Sequence, residues 1–172
     1  GIDFSTWTVD TGLEVPDGAV FWMAPDDGPA GTVTVAQLTV AVGSAGSASM
    51  VAQGRSVSGE DWQGYHTWSY SGPPPPSVDF ITSAASEVVV TMGSSLVGFA
   101  TYRLQLQLSD AEANVYAIYG SPATNSMSLP AAYQVGGVFG ANIGGVSPAL
   151  FLAGPNSEFD SWLTVGPEDG SA

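Results

Sequence analysis

Twenty-two glycines and twelve prolines break the 172-residue chain into short runs. None of those runs holds the 3.6-residue period of a helix. Short runs of β-branched and aromatic residues between such breakers read as strands. They fall at 19–24, 32–42, 48–53, 62–70, 78–81, 87–92, 99–108, 115–119, 133–139 and 162–165. The clearest alternation is Tyr102, Leu104, Leu106 and Leu108, with Arg103, Gln105 and Gln107 between them, which buries one face and wets the other. In 32–42 the apolar phase runs Val33, Val35, then Leu38, Val40 and Val42, a one-residue slip near Ala36 and Gln37 that calls for a bulge. The fold class expected is all-β, an antiparallel β-sandwich of about ten strands with long Gly/Pro loops.

A chain of this length builds one sizeable core, so residues 1–172 read as a single domain. An internal echo appears at an offset of 66, where LTVAVGSAGSASMVAQG (38–54) lies over LQLQLSDAEANVYAIYG (104–120) without a gap. Each copy reads as strand, polar turn, strand, ending in glycine. The echo suggests two pseudo-repeated halves, 1–72 and 77–166, joined at Pro73, Pro74, Pro75 and Pro76, a run excluded from a central ladder. Hydrophobic-Asp pairs recur at Ile2-Asp3, Val78-Asp79 and Phe159-Asp160. The tail PEDGSA, 167–172, reads as solvated and as the start of a linker.

Sixteen acids stand against Arg55 and Arg103, with no lysine, for a formal net charge of -14. Nucleic acid is therefore not an expected partner, because displacing counterions from phosphates needs a basic surface. An anionic membrane surface would repel the chain, and no unbroken apolar run is long enough for insertion. With no cysteine there is neither a disulfide framework nor a thiolate nucleophile, which leaves the redox compartment open. The start at Gly1, without an initiator methionine or a basic leader, reads as a mature or excised segment.

Catalytic patterns are incomplete. Val9-Asp10-Thr11-Gly12 matches the hydrophobic-Asp-Thr-Gly signature of aspartic proteases, which need two facing carboxylates sharing a proton; one copy, followed by Leu13, reads better as a turn. No Gly-x-Ser-x-Gly elbow occurs, and His66 is the sole imidazole available as a base. Glu60 and Asp61 are adjacent and point to opposite sides of an extended chain. The chain does not read as an enzyme.

Two stretches carry binding chemistry. Asp110, Glu112 and Asn114 place oxygen side chains at alternate positions, like the start of a calcium loop, although the sixth-position glycine and twelfth-position glutamate are replaced by Val115 and Ser121. Calcium is the one cofactor the pattern admits, and a polar turn explains it equally. Asp26 and Asp27 also read as a turn. In EDWQGYHTWSY, 60–70, extended geometry sets Trp62, Gly64, His66, Trp68 and Tyr70 on one face, and Gln63, Tyr65, Thr67 and Ser69 on the other. Facing inward, these rings make a core strand. Facing outward, Trp62, His66, Trp68 and Tyr70 make a platform for polysaccharide.

The closing third carries VYAIYG (115–120), GGVSPALF (144–151) and FDSWLTVG (159–166). These segments resemble a secreted β-rich domain of planctomycete-like bacteria and marine microalgae. Its members carry Asn-Pro-Ala-Leu-Phe followed by Phe/Tyr-Asp-Ser/Thr-aromatic/Val-Val-Thr-Ile-Gly; here Ser147 replaces the Asn, and Leu163 and Val165 are conservative variants. The resemblance implies an extracellular or cell-surface module, often within larger surface proteins, and brings no catalytic residues. The function expected is a non-catalytic structural module that assembles with itself or with neighbouring surface-protein domains, with carbohydrate binding through the aromatic strand as the alternative.

Overall fold

A computed structural model describes residues 1–71, 80–81, 85–92, 96–123 and 125–171. The proline run 73–76 and the Val78-Asp79 pair lie outside these. The described residues form two antiparallel sheets. The strands are β1 (Leu13–Val15), β2 (Gly18–Phe21), β3 (Thr32–Ala41), β4 (Ala45–Arg55), β5 (Asp61–Ser71), β6 (Phe80–Ile81), β7 (Ala85–Thr91), β8 (Phe99–Leu108), β9 (Ala117–Gly120), β10 (Met127–Leu129) and β11 (Trp162–Leu163). In the first sheet β5 lies on one side of β4; β9 and β10 share its other side, with β2 and β1 beyond them. The second sheet runs β11-β3-β8-β7-β6. Among the described residues, no helix is long and apolar enough to cross a membrane.

Alternation decides which face closes on the core. Val33, Leu38 and Val40 of β3 and Tyr102, Leu104, Leu106 and Leu108 of β8 point inward and are buried. Opposite them lie Met50 and Ala52 of β4, Trp68 and Tyr70 of β5, and Ile118 of β9. Burying each large apolar side chain contributes about 1.5–3 kcal/mol. The bulge falls between Thr34 and Ala36, making Val35 the extra residue, slightly ahead of the expected place. The slip lets Val33 and Leu38 share the inner face although they are an odd number apart. The apolar run 133–139 is not a strand: it is irregular and ends in a 3-10 turn, Gly137–Phe139. Gly136 and Gly137 within it, and Gly140 just after it, favour loop over ladder.

The echo has a geometric counterpart. β3 crosses to the other sheet through residues 42–44 and becomes β4, and β8 crosses through 109–116 and becomes β9. β3 pairs with β8, and β4 with β9. An antiparallel ladder can contain only one pair of residues 66 apart; here one ladder is centred on Gln37 and Arg103, the other on Ala52 and Ile118. Each echo unit therefore faces its counterpart as if related by a two-fold rotation. The sequence 1–72 does not close a core of its own, because β1 pairs with β10 and β2 with β9.

Candidate functional site

The aromatic strand faces inward. β5 pairs with β4 in unbroken register from Asp61 opposite Arg55 to Ser71 opposite Ala45, so Gly64 introduces no slip. His66 is fully buried, Trp68 and Tyr70 are buried, and Trp62 is half-buried. The Trp68 indole N–H donates to the Gln105 carbonyl of β8 at 3.0 Å, beside the bulge, and Tyr70 stacks on Tyr102 with ring centroids 5.5 Å apart. The Trp62 indole N–H donates to the carbonyls of Arg55 and Asn114. A side chain at Gly54, opposite Trp62, would collide with that ring and with the Asn114 carbonyl. The polysaccharide platform expected of Trp62, His66, Trp68 and Tyr70 is corrected accordingly: the rings of His66, Trp68 and Tyr70 fill the space between the sheets, and Trp62 alone keeps a partly exposed ring.

His66 meets Glu87 of β7 across the sandwich, with Nδ1 2.8 Å from the carboxylate Oε1. Glu87 is 3% exposed and His66 0%. Burial pushes the imidazole below its ordinary value, against the hydrogen bond and charge of Glu87 and the charge of Glu112. The neutral ring donates from Nδ1 to Glu87 and leaves Nε2 as a bare lone pair, the cheaper of the two polar atoms to bury unpaired. A dyad so enclosed binds the sheets together and has no room for a substrate. Sequence reading missed Glu87, yet a signal was present: in a strand it falls in phase with Val89.

Asp110, Glu112 and Asn114 do not converge. Among the described residues, no group of three or more acidic or histidine side chains is placed to hold a metal ion. Asp110 is exposed. Glu112 turns inward, its Oε2 accepting from the Ser109 N–H and hydroxyl at 2.7 Å. Asn114 accepts from the Arg55 N–H at 2.9 Å and donates to the Pro25 carbonyl at 3.0 Å. Glu112 and Asn114 fasten a crossing between the sheets, where the polar run read as a simple turn. Asp26 pairs with Arg55 at 2.8 Å. Asp10 sits in a turn closed on the Thr8 hydroxyl, with its carboxylate at the surface.

The FDSWLTVG segment seals the β3 edge. Trp162 and Leu163 pair with Gln37 and Ala36, the Ser161 hydroxyl accepts from the Thr39 N–H, and the Thr164 N–H reaches the Val35 carbonyl. Leu163 enters the core, while Trp162 lies under the Arg103 guanidinium, 5.5 Å from its ring centroid. Asp160, fully buried, accepts from the Val135 N–H at 2.7 Å and the Ala141 N–H at 2.6 Å, gathering loop 135–141. Burial raises its carboxyl to about 6, against backbone N–H groups of Ala141, Val135 and Ser161 that favour the ionised form. The tail beyond it is held rather than wholly solvated: Glu168 pairs with Arg103, and the Gly170 N–H donates to the Gly144 carbonyl.

No protein-family model, curated protein or solved structure matches the chain. Beyond the engaged groups, the surface offers an apolar cleft of about 350 Å³ beside β2, lined by Phe21, Trp22, Met23, Ile143 and Val165. Phe21 is 60% and Met23 84% exposed there.

Proposed function

We propose that the chain is a non-catalytic extracellular or cell-surface structural module that associates with copies of itself or with neighbouring domains of a larger surface protein. What supports this is the fate of its reactive side chains. The sole imidazole is locked between the sheets with Glu87, Asp160 and Asn114 fasten loops, and both arginines pair with acids. Large apolar side chains are also exposed, including Phe21, Met23, Val57, Val97, Val138 and Leu152, and these suit contact better than chemistry. The likeness of the closing segments to a secreted β-rich domain adds the extracellular placement. Light scattering over a wide concentration range checks the reading. Mass is expected to rise with concentration, and more so in high salt, which screens the net charge of -14. A constant monomer mass at high concentration and high salt would overturn self-association.

A further inference from the structure

The ends of the two sheets are not equally protected. A strand edge presents unpaired N–H and C=O groups, which folded proteins blunt with short strands, charges, prolines, bulges or a covering segment. In the second sheet, β3 is closed by the strap around Trp162, and the opposite edge is the two-residue β6 together with residues 88–91 of β7, which among the described residues it leaves unpaired on that side. On the far side of the first sheet lie β1 and β2, three and four residues long, with a turn between them. The remaining edge is β5. It has eleven residues in unbroken register with β4, without proline, lysine or bulge. Among the described residues it pairs with β4 alone. Trp68 and Tyr70 fix its roll, leaving Gln63, Tyr65, Thr67 and Ser69 exposed on the outer face.

We propose that β5 pairs antiparallel with β5 of a second copy, joining two first sheets into one continuous sheet across a two-fold axis. The proposal rests on the self-associating reading and names its surface. Charge selects the second copy. In a chain of net charge -14, β5 carries only Asp61, at one end. With the seam centred on His66, Asp61 lies opposite the Ser71 position of the other copy, and the two Asp61 carboxylates are roughly 34 Å apart at ~3.4 Å per residue, beyond three Debye lengths of about 8–10 Å. The seam is also self-complementary, as a two-fold interface requires: Tyr65 meets Thr67, and Gln63 meets Ser69, pairing aromatic with β-branched and amide with hydroxyl.

The test uses the full chain. In Tyr65→Glu with Thr67→Glu, each new carboxylate faces another across the seam from an exposed position. Sedimentation velocity in high salt should show wild type dimerising and the double variant dimerising at least tenfold more weakly, with an unchanged urea midpoint. Because the chain has no cysteine, Ser69→Cys gives a single spin-label site. Labels on the two copies should lie roughly 20 Å apart along the seam, six residues at ~3.4 Å each. If the double variant associates as well as wild type, or the labels lie beyond about twice that spacing, the β5 seam is wrong while self-association stands. A wild type that stays monomeric in high salt overturns both.

Discussion

Asp160 offers the sharpest test, because two physical effects compete for its proton. The carboxylate is fully buried, which disfavours charge, yet backbone N–H groups point at it, which favours charge. Burial prevails, raising the group from 3.8 to about 6, a difference of about 3 kcal/mol. Below the unfolded value both states hold the proton. As pH rises from about 4 to about 6 the unfolded chain releases its proton first, so the Asp160 contribution to stability is highest in acid and declines across that window. Asp160→Asn cannot titrate, so position 160 contributes the same to the variant's stability at every pH. The advantage of wild type over the variant should therefore shrink by about 3 kcal/mol between pH 3.5 and pH 7, equivalent to about 6–12 °C in melting temperature for a domain of this size. Urea denaturation followed by tryptophan fluorescence measures both proteins at each pH, and taking their difference cancels the titration of His66 and of the acidic surface. A difference that stays flat, or grows with pH, would mean that the N–H donors hold the carboxylate ionised and that the reasoning is wrong.

Two further outcomes bear on the buried polar groups. Glu87→Ala strands the neutral His66 Nδ1–H between the sheets and should cost about 1–3 kcal/mol, with the His66 contribution to stability falling as pH drops below about 6.5, because the unfolded chain protonates its imidazole before the fold does; a urea-measured loss under about 0.5 kcal/mol would show that the pair does not form. Asn114→Ala removes two bonds to backbone and should cost about 2–3 kcal/mol, whereas Asp110→Ala should cost under about 0.5 kcal/mol at any calcium concentration; equal, calcium-dependent losses would restore a shared metal site.

How far the site was legible depended on whether its logic was local. The two faces of EDWQGYHTWSY follow from strand periodicity, and the structure keeps that division along the whole of β5. Its inward direction does not, because an aromatic face suits a core and a sugar platform alike. Only the presence of Gln105, Tyr102 and Glu87 across the sandwich decides between them. Asp110, Glu112 and Asn114 misled for a related reason. Alternate spacing resembles a ligand loop, but convergence depends on where the chain turns, and here it crosses from one sheet to the other.

Elements whose information is periodic are written in the chain alone: the strand 99–108, the slip in β3 and the all-β class. The chain also carried the offset of 66, since two segments with one pattern adopt one local path. Strands of three residues, such as β1 and β10, are too short to show a period, and they exist because a neighbour's ladder extends onto them. The tertiary structure decided that each echo unit faces its counterpart, that the FDSW segment closes an edge, and that His66 finds Glu87. Those outcomes depend on residues far apart in the chain, whose pairing no local pattern encodes. Burial then sets the charge of each group, since the cost of ionising a side chain is fixed by what surrounds it in space.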